Sequence, residues 1–133
     1  MDGQSCVMIM NEWDIVAARQ LGRHAAKELG FGAVDQARIT TAISELARNI
    51  YHYANGGKIY IDKIEEKEKK GIKITASDHG PGIPDIRKAM EDGFTTSGGL
   101  GAGLPGVKRL MDEFYIDSKT GEGTVVQVVK WLR

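Results

Sequence analysis

Two polar residues within one predicted helix have the types and spacing needed for acid–base or cation chemistry. Glu45 and Asn49 are four residues apart, so a helix places them on one face with their Cβ atoms about 5–6 Å apart. A carboxylate and an amide oxygen on one face can hold a hard cation or position an attacking hydroxyl group. The same spacing fits an ordinary polar pair on a solvent-facing helix surface, and spacing alone leaves both interpretations open.

A second candidate directly follows a predicted strand, in the segment Asp78-His79-Gly80-Pro81-Gly82. Glycines at a strand end let the backbone approach a ligand closely, which makes Gly80 and Gly82 candidate binding residues. The carboxylate of Asp78 can accept a hydrogen bond from an amino group. The alternative is an Asx turn that closes the strand.

Glycines also concentrate just before a helix predicted to have Pro105 in its first turn. The stretch 98–104 contains four of them: Gly98, Gly99, Gly101 and Gly103. A helix start presents free N–H groups and the positive end of the helix dipole, and glycines let a phosphate group come close. A glycine-rich hinge without a ligand is the alternative.

Two further glycine patterns carry less information. Residues 101–106 match G-x-G-x-x-G, but a dinucleotide-binding turn needs an apolar strand before it, and residues 94–97 are Phe-Thr-Thr-Ser. Gly121-Glu122-Gly123-Thr124 leads into the last predicted strand. By itself, this segment is only a hairpin turn.

Hydrophobic spacing predicts the elements that must position these residues. The predicted strands are Ser5–Met10, Lys58–Ile64, Gly71–Ser77, Phe114–Ser118 and Thr124–Leu132. The predicted helices run from the cap Asn11 to Gly30, from about Asp35 to Tyr53, from about Asp85 to Asp92 and from Pro105 to about Asp112. The apolar stripe assigned to the first helix is Trp13, Val16, Ala17, Leu21, Ala25 and Leu29.

Strands in local hairpins next to helices favour a two-layer α/β sandwich, with a mixed or mostly antiparallel sheet and the helices on one face. The charge run Glu65–Lys70 is placed at the tip of a hairpin.

Composition narrows the class of protein. A length of 133 residues fits one domain over 1–133. The 18 basic and 18 acidic residues cancel, which argues against a generic binder of nucleic acid or of an anionic membrane. No apolar run approaches about 18 residues, so no membrane span is expected. No signal peptide is visible and Cys6 stands alone, so a reducing, cytoplasmic location is expected.

The order of the four candidates is more specific than any one of them. Glu-x-x-x-Asn on a helix, Asp-x-Gly-x-Gly after a strand, a glycine-rich stretch before a helix and Gly-Thr at a strand start resemble the ATP-binding (Bergerat) fold of gyrase, heat-shock-90, histidine-kinase and MutL ATPases. Within that group, Thr41–Ile50 and Gly93–Phe114 look like the serine-protein kinases that act as switch proteins of the bacterial stressosome.

This resemblance implies a role for each matching residue. Asn49 would supply an oxygen to Mg²⁺ on the ATP phosphates, and Glu45 would orient or deprotonate the attacking hydroxyl group. Asp78 would accept from the adenine amino group, with support from Thr124. The glycines would lie against the base or in the phosphate loop: Gly80, Gly82, Gly99, Gly101 and Gly103.

The resemblance also implies the partners. A phospho-acceptor helix pair or a transducer domain does not fit in 133 residues, so the phosphate acceptor is expected to be another protein. The implied acceptor is a serine in STAS-domain stressosome proteins, and the implied second partner is a metal-dependent serine phosphatase. Two alternatives are an anti-sigma-factor kinase of the same fold, which binds a sigma factor directly, and a binding module without turnover.

Overall fold

The computed structural model describes residues 4–91 and 103–133. The strands are β1 (Gln4–Ile9), β2 (Gly57–Glu66), β3 (Lys69–Asp78), β4 (Glu113–Lys119) and β5 (Gly123–Trp131). The helices are α1 (Glu12–Leu29), α2 (Ala33–Tyr53), α3 (Ile86–Ala89) and α4 (Gly103–Leu110). The predicted order of strands and helices is confirmed, and no helix within the described ranges is long and apolar enough to cross a membrane.

The five strands form one sheet in the order β1-β2-β3-β5-β4. Each of its four pairings is antiparallel, so the mostly antiparallel sheet is confirmed and the mixed alternative does not apply. The chain leaves β3, forms α3, α4 and β4, and then inserts β5 between β3 and β4. This insertion brings the end of β3 beside the start of β5.

Side-chain alternation assigns one face of the sheet to the core. Ile59 and Ile61 in β2, with Ile72 and Ile74 in β3, are almost fully buried. They pack in one cluster with the apolar residues of α1 and α2. Because side chains alternate between faces along a strand, Asp78 and Thr124 project from this same face, two residues beyond Ala76 and before Val126. The fold therefore directs both polar side chains into the layer between sheet and helices.

The β2–β3 hairpin is longer than the pattern predicted. Its turn consists of Lys67 and Glu68, both with positive φ (49° and 71°), as the tight two-residue hairpin turn requires. Glu65 pairs with Lys70, and Glu66 with Lys69, so opposite charges face each other across the strands. This pairing extends the strands into the charge run that the sequence placed at the tip.

Helix α1 begins and ends as predicted, but it buries a different stripe. Asn11 and Asp14 form a capping box, and Gly30 ends the helix in the left-handed conformation. Trp13 is 80% exposed, whereas the buried residues are Ile15, Ala18, Gly22, Ala25 and Ala26. The predicted stripe is wrong at Trp13, Ala17 and Leu21, which are exposed, and right at Ala25 and Leu29, which pack in or on the core. The difference arises because α1 meets the core mainly through small residues. A Cβ on Gly22 would lie 2.1 Å from Cδ1 of Ile43.

Lys130, near the end of β5, ties two helices to the sheet. Its ammonium group is buried and donates to the carbonyl oxygen of Leu110, the last residue of α4, at 2.8 Å. The same nitrogen lies 3.9 Å from carboxylate oxygens of Asp35, in the first turn of α2, and Asp112. A buried charge needs such partners, and here the partners fix the C-terminal end of α4.

Candidate functional site

A cavity of about 280 Å³ lies between α2 and the sheet. Several of its lining residues were predicted from the sequence: Asn49, Asp78, Gly82, Gly103 and Thr124. Glu45 and Gly80 do not line it, and the predicted binding residues Gly99 and Gly101 lie outside the described residues. The fold thus brings together candidates that are up to 75 positions apart, from Asn49 to Thr124.

The cavity wall is mainly apolar. Besides the predicted residues, the wall contains Leu46, Ile50, Tyr53, Ala76, Pro81, Ile83, Pro84, Ala89, Leu104 and Val126. A concave apolar site with a few convergent polar groups is the usual form of a small-molecule site. The apolar wall of this cavity suits a flat, weakly polar ring, and the polar side chains that line the cavity include those of Asn49, Asp78 and Thr124.

Asp78 closes β3 and is half-buried. The backbone N–H of Gly80 donates to Oδ1 of Asp78 at 2.9 Å, so the Asx turn considered from the sequence is present. This turn fixes the carboxylate, and Oδ2 remains as a second acceptor at the cavity. The two interpretations of Asp78 are therefore compatible, since the turn orients the group that would accept from a ligand.

The glycines after Asp78 are required by contacts within the protein itself. A Cβ on Gly80 would lie 2.6 Å from the Cβ of Ala54. Gly82 has a φ of 81°, and its Cβ would lie 2.3 Å from the carbonyl oxygen of Lys119. Close packing of this loop on α2 and on the β4–β5 turn thus accounts for both glycines, whereas their predicted contact with a base stays a prediction.

Ser118 in β4 is a site-supporting residue that sequence reasoning missed. Thr124 faces Asp78 in the β3–β5 register and Ser118 in the β4–β5 register. Ser118 Oγ lies 2.7 Å from Thr124 Oγ1 and accepts from the backbone N–H of Ile83 at 2.8 Å. The only sequence signal was a serine on a predicted strand, because these contacts depend on the strand register.

Glu45 lies one helical turn before Asn49 and is buried, with 4% of its surface exposed. Arg48 Nη1 lies 3.0 Å from Glu45 Oε2 and forms an ion pair with it. The alternative of a solvent-facing polar pair is therefore wrong for Glu45. A buried carboxylate held by one cation keeps its second oxygen, Oε1, available as an acceptor.

The first residues of α4 close the cavity on another side. Gly103, with a φ of 57°, and Leu104 line it, and the first turn of α4 contains no acidic residue. The first N–H groups of a helix have no partner within the helix. This end of the cavity therefore suits an anionic group.

The donor set fits a metal that arrives with phosphates better than a metal held by protein alone. Within residues 4–91 and 103–133, no three His, Cys, Asp or Glu side chains cluster as a metal site. Asn49, whose side chain carries an amide oxygen, lines the cavity. Mg²⁺ takes oxygen ligands and keeps several waters, so one amide oxygen plus phosphate oxygens is an adequate set.

Comparison with known proteins identifies this arrangement. The model of the histidine kinase-, DNA gyrase B- and HSP90-like ATPases matches residues 34–133. The chain belongs to this family. It is 74% identical over 133 residues to the serine/threonine-protein kinase RsbT of Bacillus subtilis strain 168, which covers 100% of both chains. The chain is accordingly a serine/threonine kinase of this ATPase family with a site for ATP.

More distant members of the family are also similar. An anti-sigma F factor of Anoxybacillus flavithermus is 38% identical over 101 residues, or 71% of this chain and 68% of that one. The structure of the RsbU and RsbW domains of a Mycobacterium tuberculosis protein has a TM-score of 0.64 at 18% identity, over 97% of this chain and 33% of that one. The structure of the mycobacterial sensor histidine kinase MprB has a TM-score of 0.56 at 15% sequence identity, and the match covers 96% of this chain and 97% of that one. These two structures confirm the fold.

Replacement of Asp78 by asparagine tests the predicted contact with an amino group. In Asp78→Asn an oxygen remains for the Gly80 N–H, but an NH₂ donor replaces the second acceptor oxygen. We expect the affinity for ATP, measured by isothermal titration calorimetry, to fall by about tenfold or more. The midpoint of urea unfolding should change little.

The matched control is Ser77→Ala, whose side chain is next in sequence and projects from the opposite face of the sheet. It should bind ATP like the unmodified protein. An Asp78→Asn protein with unchanged ATP affinity would contradict the assignment of this carboxylate.

Proposed function

We propose that this protein transfers the γ-phosphate of Mg-ATP to a serine of STAS-domain stressosome proteins. The observation that carries the proposal is the cavity itself, where Asn49, Asp78, Thr124 and the start of α4 converge, with Glu45 one turn from Asn49 on α2. The 74% identity to RsbT over the full chain supports the kinase chemistry.

Each end of the cavity binds a different part of ATP. Asp78 and Thr124 take the adenine base at one end, between apolar walls that include Ile50 and Val126. The phosphates extend towards Asn49 and the first N–H groups of α4, where positive dipole ends favour negative charge. Bound Mg²⁺, held by the Asn49 oxygen and the phosphates, would supply neutralisation of the phosphate charge.

Glu45 aligns the attacking group. Phosphoryl transfer depends chiefly on positioning and on charge stabilisation, so the carboxylate need not be a strong base. Arg48 holds Oε2, and Oε1 accepts the hydrogen of the incoming serine hydroxyl. The serine oxygen then bonds to the γ-phosphorus as the bond to the β-phosphate oxygen breaks, the proton passes to Glu45 and ADP leaves.

The second part of the proposal concerns partner exchange in the cytoplasm. Phosphorylation of the STAS-domain protein weakens its complex with this kinase. The released kinase then binds a metal-dependent serine phosphatase and activates it, a step that does not require ATP hydrolysis. This part rests on the sequence similarity to stressosome switch kinases.

Glu45→Gln tests the alignment of the hydroxyl group. The amide oxygen can still accept from Arg48, so the half-buried arginine keeps a partner, but the group no longer takes the proton. With Mg-[γ-³²P]ATP and a STAS-domain partner, we expect phosphate transfer to slow by about 100-fold or more. Affinity for ATP should remain within about twofold.

Glu66→Gln, near the tip of the β2–β3 hairpin, is the control for loss of one carboxylate and should transfer phosphate at the normal rate. Transfer by Glu45→Gln at the rate of this control would rule out the role given to Glu45.

Asn49→Ala tests the metal contact. The unmodified protein should bind ATP more tightly with Mg²⁺ than with EDTA, by about tenfold or more. In Asn49→Ala the two affinities should become equal, since the protein oxygen is gone. Titration calorimetry with and without Mg²⁺ measures both affinities.

The matched control is Asn55→Ala, just beyond the end of α2 and outside the cavity lining. An Asn49→Ala protein that keeps the full effect of Mg²⁺ on ATP affinity would refute this contact.

An anti-sigma-factor kinase is the second candidate, favoured by the 38% identity to an anti-sigma F factor. The higher identity and complete coverage of RsbT, a serine/threonine-protein kinase by name, support the first candidate over this one. Immobilised protein offered equal amounts of STAS-domain proteins and sigma factors should retain the STAS-domain proteins. Retention of a sigma factor instead would establish the second candidate.

A further inference from the structure

Ser118 lies outside the cavity lining, yet it contacts two of the lining residues. Its Oγ accepts from the backbone N–H of Ile83 at 2.8 Å and lies 2.7 Å from Oγ1 of Thr124. It also donates to the carbonyl oxygen of Gly123 at 3.1 Å. One half-buried hydroxyl on β4 therefore joins the loop after β3 to the first residues of β5.

The direction of the Thr124 hydroxyl depends on where the single hydrogen of the Ser118 hydroxyl is placed. A serine hydroxyl has one hydrogen and two lone pairs. With the hydrogen of Ser118 placed on the Gly123 carbonyl, which can only accept, one lone pair of Ser118 takes the Ile83 N–H. The 2.7 Å contact with Thr124 fits donation in either direction, and with this placement Thr124 is the donor. The lone pairs of Thr124, which lines the cavity, are then what its hydroxyl offers a ligand.

We propose that Ser118 is a positioning residue for base specificity, because it fixes the Thr124 hydroxyl as an acceptor towards the nucleotide. This inference rests on the proposed binding of adenine at Asp78. With Thr124 so oriented, both side chains at this end of the cavity present acceptors, the carboxylate by its nature and the hydroxyl by its contact with Ser118.

Acceptors that face position 6 of the base distinguish a 6-aminopurine from a 6-oxopurine. Adenine carries an amino donor at position 6, and hypoxanthine carries an oxygen acceptor there. Because the N1–H of hypoxanthine is itself a donor, the discrimination depends on contact at position 6 and not at N1. The amino group of adenine meets the Asp78 carboxylate, whereas the oxygen of hypoxanthine would place two acceptors in contact, which leaves buried lone pairs unpaired. A Thr124 hydroxyl free to rotate would relieve this conflict by donating to the oxygen.

The test compares ATP with inosine triphosphate, which differ at this edge of the base. In Ser118→Ala, titration calorimetry should show that the affinity for ATP divided by the affinity for inosine triphosphate falls by about fivefold. This is the change expected from one hydrogen bond. Both affinities should also decrease, because the Ile83 N–H loses its acceptor. Ser118→Thr retains the hydroxyl and should restore the ratio.

A double replacement separates positioning from a general structural effect. In Thr124→Val the hydroxyl is absent, so adding Ser118→Ala should leave the affinity ratio where Thr124→Val alone sets it. If Ser118→Ala weakens both nucleotides equally, or if its effect on the ratio adds to that of Thr124→Val, Ser118 has only a structural role and the proposal is wrong.

Two further comparisons keep the result unambiguous. Ser118→Cys keeps nearly the same volume with a weaker hydrogen-bonding group, and it replaces Ser118→Ala in the comparison if the alanine variant does not fold. Failure of the unmodified protein to bind ATP would overturn the proposed function together with this inference. Normal ATP binding with an unchanged ratio in the Ser118 variants would overturn this inference alone.

Discussion

The antiparallel pairing of β3 with β5 is the constraint on which the cavity depends. This pairing sets Asp78 opposite Thr124, although a loop, two helices and β4 separate them along the chain. A shift of one residue in this register would turn either side chain to the open face of the sheet. The apolar residues that precede and follow, such as Ala76 and Val126, fix the register by their burial. The polar end of the site is thus specified by the packing of the core.

The same core positions the helix that completes the site. Ile43, Leu46 and Ile50 anchor α2 on the sheet, and their spacing leaves Glu45 and Asn49 on a neighbouring face. Glu45 is buried there with Arg48 as its partner, and Asn49 reaches the cavity. A buried ion pair contributes little to stability once the cost of removing two charges from water is included. Its value here is a carboxylate held in one position, one helical turn from Asn49.

Much of this arrangement was predictable from local signals, and the remainder depends on contacts across the fold. The cap at Asn11, the end of α1 at Gly30 and the order of the motifs are local, and each was predicted. The buried stripe of α1 was predicted at Ala25 but missed in its first half, because Gly22 carries no apolar side chain to mark it, while the exposed Trp13 does. Ser118 was missed because a serine gains its partners only when two strand registers are known.

The anchoring of α4 by Lys130 has a mechanical consequence. The helix is about 12 Å long for its 8 residues, and its final carbonyl is fastened to β5 by a buried ammonium group. Its opposite end, at Gly103, borders the cavity. Near that end Leu104 and Val107 are buried in the core, so packing holds one end of α4 and the Lys130 hydrogen bond holds the other. A ligand in the cavity therefore meets a helix that is fixed along its length and forms a rigid wall.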